Sequence, residues 1–259
     1  MKKGTKNMKN SCIIIALVIF CLTGSFTFAG VIEDVEMEAG LEIGDFHYRE
    51  SHLMREDGVQ GGVYGSIAIL AAQPWYFQFY MSMVGGDVEY DGGYSSGGSL
   101  KGDTSNYIYN FRGIAGYMIG EDGVCIMPYS GIGYRYLNND LNDLGAGGYE
   151  REQVYLYMPL GIDISASIAS SGQWTIGLKS EFDWMFHGEN KSGDIEFTGQ
   201  DGWGIRFIPY IRYDINDKIG LKLEAFGEYW KINDSDVSEG YLEPENASNY
   251  YGGKFGVVF

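Results

Sequence analysis

From Trp174 to His187 the chain alternates between two kinds of residue. Trp174, Ile176, Leu178, Ser180, Phe182, Trp184 and Phe186 occupy one parity; Thr175, Gly177, Lys179, Glu181, Asp183, Met185 and His187 occupy the other. A period of two is that of extended chain, whose successive side chains point to opposite faces, and no helix sorts residues this way. The next segment repeats it, with Trp203, Ile205, Phe207, Pro209, Ile211 and Tyr213 set against Gly204, Arg206, Ile208, Tyr210, Arg212 and Asp214. One face is apolar and one is charged. The apolar face carries too many large rings to fit inside a closed sheet of ten strands, so it is expected on the outside, against lipid.

The same alternation predicts strands over roughly 36–48, 62–72, 75–86, 105–119, 124–137, 151–165, 173–187, 202–215, 219–232 and 249–259. These segments are longer than the roughly 5–6 residues of an ordinary soluble strand and match the roughly 9–11 of a membrane-crossing one. Connections alternate in length. Those at 49–61, 87–104, 138–150, 188–201 and 233–248 are long, while those centred on 72–74, 120–123, 170–172 and 216–218 are short. Short turns on one side and long loops on the other are the pattern of an outer-membrane barrel with periplasmic turns and extracellular loops. The fold class is therefore all-β: a single antiparallel transmembrane β-barrel of about ten strands.

Residues 1–29 read as a cleaved secretory signal: Lys2, Lys3, Lys6 and Lys9, then the apolar run 12–22, then Thr27-Phe28-Ala29 ahead of Gly30. The barrel domain is 30–259. The whole chain has 18 Lys and Arg against 35 Asp and Glu, a net charge of −17; without the four leader lysines it is −21. Such an acidic chain is not expected to bind nucleic acid. Cys125 is the one cysteine left after residue 29, so no internal disulfide is expected.

The outward aromatics are expected at two heights. Trp184, Phe186, Trp203, Tyr107, Tyr109, Tyr134, Tyr136, Tyr229 and Tyr251 lie toward the long loops; Trp75, Tyr117, Trp174, Tyr213 and Phe259 lie toward the short turns. Leu178, Ile205, Leu223, Ala225, Phe255 and Val257 fall between, as a bilayer selects. The final strand, Tyr250-Tyr251-Gly252-Gly253-Lys254-Phe255-Gly256-Val257-Val258-Phe259, resembles the assembly signal of Gram-negative outer-membrane proteins. That resemblance implies an outer-membrane location and recognition by the assembly machinery, with Phe259 as the signal residue. Across 30–259 the chain is similar to the broad family of small outer-membrane β-barrel proteins; 128–137 and 155–161 carry that likeness, to members with no assigned activity.

Inward parity gives nine acids, Glu36, Glu38, Glu42, Asp163, Glu181, Asp183, Asp214, Glu224 and Glu228, and eight bases, Arg112, Arg135, Arg151, Lys179, Arg206, Arg212, Lys222 and Lys254. Buried charges are tolerated only when paired, so the expectation is a mutually paired lumen network. A ten-stranded lumen crowded in this way excludes a large nonspecific porin and leaves a narrow channel open.

The resemblance to ten-stranded barrels includes omptin proteases, which carry an Asp pair and an Asp-His pair at the extracellular rim. Here Asp183 and His187 share a parity near the top of their strand, and Asp87 and Glu89 end another. This departs from the omptin pattern, in which Asp and His are two residues apart, and it remains the enzymatic alternative. His47 with Ser51 or Ser66 is the Ser-His pairing a lipid hydrolase would need. No Gly-x-Ser-x-Gly elbow, Walker loop, CxxC or HExxH occurs after residue 29.

Asp234, Asp236, Glu239, Glu243 and Glu245 crowd the last long loop, as a solvated surface or as a divalent-cation contact to lipopolysaccharide phosphates. The expected role is structural or surface-interacting, through five acidic loops. No cofactor or metal is implied. The expected partners are outer-membrane lipid and lipopolysaccharide, the assembly machinery, and an extracellular ligand or host surface.

Overall fold

The computed structural model describes residues 32–259 apart from 52, 72–73, 94–97, 122, 146–147 and 169–171; the leader expected at 1–29 lies outside the described residues. The strands are β1 Ile32–Glu50, β2 Met54–Ala71, β3 Trp75–Gly93, β4 Ser99–Tyr117, β5 Ile119–Glu121, β6 Val124–Asp140, β7 Glu150–Ser167, β8 Trp174–Ser192, β9 Ile195–Asn216, β10 Ile219–Ile232 and β11 Asn246–Val258, with a 3₁₀ turn at Leu141–Leu144. β5 is a three-residue stub beside β6, so ten long strands build the wall. Each long strand bonds to its neighbours in sequence. β4 pairs with β6, and β1 pairs antiparallel with β11 from Glu38↔Val258 to Glu50↔Asn246, so the sheet closes on itself. Closure matters because hydrocarbon offers no partner to an unpaired N–H or C=O, and a ring has no edge. The closing seam runs to the chain end, where Phe259 N donates to Met37 O at 2.8 Å and Met37 N donates to Phe259 O at 3.0 Å.

Through the middle of the barrel the faces follow the predicted parity. Phe77, Phe79, Ile132, Leu160, Phe182, Ile205, Phe207, Leu223 and Phe255 point outward and are exposed. Outward rings pair at both ends of this belt: Trp75 with Tyr117 and Trp174 with Tyr213 near the short turns, Trp203 with Tyr229 and Tyr109 with Tyr136 near the other end, at centroid separations of 5.2, 4.6, 5.4 and 5.9 Å.

Above the upper girdle the strands continue and the faces invert. Val84, Val88, Tyr90, Leu100, Ile108 and Leu137 are buried inside, while Asp87, Glu89 and Asp103 face out. Water replaces lipid outside the wall there, so the barrel follows the ordinary rule of apolar in and polar out. This corrects the expected long loops. Stretches 49–61, 87–104 and 188–201 are mostly strand, and the upper connections contract to 51–53, 94–98, 141–149, 193–194 and 233–245. The tightest, between β8 and β9, turns on Gly193 at φ 63°, a left-handed first position that suits a two-residue hairpin.

Four cross-strand pairs of one kind recur inside. Tyr157 lies opposite Gly133, Tyr129 opposite Gly161, Tyr210 opposite Gly177, and Trp230 opposite Gly204. In each, a methyl group added to the glycine would run into the ring. Glycine thus serves as the floor on which an inward ring lies flat across the lumen.

Candidate functional site

The lumen is a stack of paired charges capped by aromatic rings. At the periplasmic end Arg212 pairs with Glu36, and its Nε lies 2.7 Å from Asp214. Above it Lys222 bridges Glu38 and Glu224 at 2.9 and 2.7 Å. Lys179 faces Asp163 at 3.8 Å, and Lys254 reaches Glu42 at 3.1 Å while donating to Tyr80 Oη at 2.6 Å. At mid-height Arg112 pairs with Glu181 and Arg135 with Glu228. Arg206 lies between them, 2.7 Å from Glu228, 3.3 Å from Glu181 and 3.5 Å from Asp183. Arg151, higher up, joins Glu50 at 2.7 Å and Glu56. Every inward charge named from the sequence thus has an ionic partner. Glu50 and Glu56 were not among them, because the sequence places both in a loop or at its edge.

The aromatic cap was not expected. Phe46, Tyr48, Tyr155, Tyr157 and Trp230 are essentially without exposure and fill the barrel above the Arg206 cluster. Trp230 and Tyr157 meet edge to face at 5.0 Å. The guanidinium carbon of Arg206 lies 5.4 Å from the Tyr157 ring centre and 5.8 Å from that of Trp230. Below the cap remains a polar cavity of about 60 Å³, bordered by Glu38, Tyr64, Arg112, Lys222 and Lys254 among others. That is room for a few waters rather than a solute. Parity carries the signal that could have found the cap, since Trp230 shares its face with Glu224 and Glu228.

The four residues of the enzymatic alternative do not meet. Asp183 is fully buried against Arg206. On β8 Met185 pairs with Tyr157 and His187 with Leu156, so Phe186 is an extra residue, a β-bulge. The bulge reverses parity, and His187 turns outward to bond Glu189 at 2.9 Å, correcting its inward placement. Asp87 and Glu89 are exposed on the outer wall; Asp87 accepts from Ser105 Oγ at 3.3 Å. The Ser-His pairing fails as well. His47 Nδ1 lies 2.5 Å from Asp57 and Nε2 3.1 Å from Tyr251 Oη, whereas Ser66 accepts from Gln78 and Ser51 donates to Glu245. Among the described residues no group of three or more His, Cys, Asp and Glu is arranged to hold a metal ion.

At the mouth, loop 233–245 is tied down by the Glu243 side chain, which accepts from Asn190 Nδ2 at 2.5 Å. Burial, with the Glu50 carboxylate nearby, pushes the Glu243 carboxyl up to about 7 against the pull of Arg151.

No curated protein matches the chain in sequence. Among solved structures it is similar to the outer membrane protease OmpT of Escherichia coli, with 10% identity over 91% of this chain and 99% of that one and a TM-score of 0.58. The translocator domain of autotransporter NalP from Neisseria meningitidis aligns at 11% identity over 98% and 97% of the two chains with a TM-score of 0.46, and Ail of Yersinia pestis at 10% over 86% and 99% with 0.32. A family model described as the autotransporter beta-domain matches residues 39–220.

Proposed function

Because this chain belongs to the autotransporter beta-domain family and is an outer-membrane barrel, we propose that it is a sealed, non-enzymatic barrel that works by presenting its extracellular end to ligands, a host surface or lipopolysaccharide. One observation carries this reading: above a cavity of about 60 Å³ the lumen is crossed by the protein's own side chains. The Arg206 cluster crosses mid-height, and the cap of Phe46, Tyr155, Tyr157 and Trp230 sits on it. A conduit for a polypeptide or a solute would have to displace both. A buried arginine shared by three carboxylates is costly to disturb, because any removed partner leaves an uncompensated charge in a low dielectric.

The protease reading draws on the fold likeness to OmpT, which at 10% identity speaks to the fold alone. A general base must come within hydrogen-bond reach of the proton it removes. Asp183 in the lumen and His187 on the outer wall weigh against that arrangement. The partners in the proposed reading are outer-membrane lipid and lipopolysaccharide, the assembly machinery that inserts the chain, and an extracellular ligand.

Planar-bilayer recording and peptide-cleavage assays on the refolded protein test this. The expected result is neither conductance steps nor cleavage. Stable steps would establish the narrow channel instead, and cleavage abolished by His187→Ala the protease.

A further inference from the structure

Loop 233–245 is folded into a small hairpin rather than draped over the mouth. Ser235 N donates to Glu243 O at 3.0 Å, and Glu243 N returns a bond to Ser235 Oγ at 2.9 Å. Further out, Ser238 and Tyr241 exchange backbone bonds at 2.8 Å, closing a two-residue turn on Glu239 and Gly240 with φ of 50° and 85°. Positive φ at both central positions is the hairpin geometry Gly takes freely and Glu does not. The neighbouring β8–β9 hairpin braces the loop: Asp236 N donates to Thr198 O at 2.9 Å, and Asn233 Nδ2 to Asp201 at 2.6 Å.

This braced tip displays three apolar side chains on the water side of the molecule. Val237, Tyr241 and Leu242 are 70%, 56% and 48% exposed. Asp234, Asp236 and Glu239 are exposed in the same loop and have no ion-pair partner among the described residues. Lys231, at the foot of the loop, is already held by Glu245 at 2.9 Å. Exposed apolar side chains close together in sequence on a braced loop offer an interface its core, and a loop ordered in advance loses little entropy on binding.

We propose that this tip docks a cationic protein segment whose Lys and Arg residues flank apolar side chains. The apolar trio supplies the contact, and the unpaired carboxylates select the sign of the partner. The same carboxylates repel anionic lipid phosphates and a second copy of this acidic chain, whose net charge is −17. The inference rests on the surface-interaction reading above and gives its partner a chemistry.

The test titrates a labelled synthetic peptide of interspersed Lys and Leu onto the full-length protein in phosphatidylcholine nanodiscs, read by fluorescence anisotropy. Empty nanodiscs and a Glu-for-Lys version of the peptide serve as references. The expected result is saturable binding of the cationic peptide to the protein only. Val237→Ser with Leu242→Ser should weaken it about tenfold or more at every salt concentration. Asp234→Asn with Glu239→Gln should weaken it at low salt and flatten its salt dependence. If the paired Ser variant fails to assemble, Tyr241→Ser carries that arm. Binding unchanged by the apolar variants, or equal binding of the acidic peptide, overturns the proposal. Neither result would alter the conductance and cleavage records, so the failure of this inference is distinguishable from failure of the sealed-barrel reading.

Discussion

Trp230 donates its indole N–H to Glu228 at 2.8 Å, from two residues further along the same face of β10. Glu228 is also held by Arg135 and Arg206. This bond, with the one Arg206 donates to Tyr157 Oη at 3.1 Å, joins the aromatic cap to the ionic layer beneath it, so the two act as one closure rather than as separate features.

Trp230→Ala should therefore both weaken and open the barrel. Truncating a buried ring of this size costs about 3–5 kcal/mol through lost burial and the cavity left behind. The heat-modifiable band should shift at lower temperature, and small conductance steps should appear in planar bilayers. Trp230→Phe keeps an aromatic ring in place but loses the hydrogen bond and part of the indole volume, a cost of about 1–3 kcal/mol, and should stay closed.

Arg206 offers a sharper case. Two of its three carboxylates have another base, Glu181 through Arg112 and Glu228 through Arg135, but among the described residues Asp183 has no second base at ion-pair distance. Arg206→Met should cost about 3–5 kcal/mol, since it strands a buried charge. Adding Asp183→Asn should recover most of that loss, while adding Glu181→Gln should not. Denaturant unfolding followed by intrinsic fluorescence would rank the three.

These residues also mark how far the sequence alone could be read. Parity on β8 and β9 was enough to turn Lys179, Glu181, Asp183, Arg206 and Arg212 inward, because lipid outside the wall forces the alternation. It could not say that Glu181 meets Arg112, 69 positions away, since register depends on turns and bulges that composition does not show. Above the membrane charge no longer marks the inward face: on the parity that β3 keeps throughout, Asp87 and Glu89 face water outside while Val88 and Tyr90 turn in. His187 escaped through one extra residue at Phe186, a bulge with no signature in the local sequence. Trp230 was legible from parity, which puts it on the same face as Glu224 and Glu228.

The glycine floors predict a contrast between two Gly→Ala changes. Gly161 lies under the Tyr129 ring, so Gly161→Ala forces the ring aside and should destabilise by about 1–3 kcal/mol, the usual cost of overpacking. Gly227→Ala meets nothing within 4 Å and should be silent in the same thermal assay.

Loop 233–245 should respond to pH through Glu243. Its carboxyl titrates at about 7 when docked, above the ordinary range near 4.3, so docking favours the protonated form. That contribution is fully present below about pH 4 and is lost as pH rises through 7, up to about 3 kcal/mol in all. Protease cutting within 236–242 should therefore accelerate between pH 5 and 8, as roughly bounded by these two values. Glu243→Gln, neutral throughout and still able to bond Asn190, should remove the pH dependence and keep the loop protected.

The ring-over-glycine pairs have a consequence for how the chain finds its own arrangement during insertion. Alternating faces penalise a slip of one residue between neighbouring strands, because it turns charges into lipid, but they are blind to a slip of two. The pairs are not blind to it. If β7 slid by two against β6, Tyr129 would lose Gly161 and face Pro159 or Asp163, and Tyr157 would face Gly131 or Arg135 in place of Gly133. One such pair is a local fit. Set between β6 and β7, β8 and β9, and β9 and β10, they act as a ratchet's teeth, allowing these strands to seat in only one of the positions that alternation alone would accept.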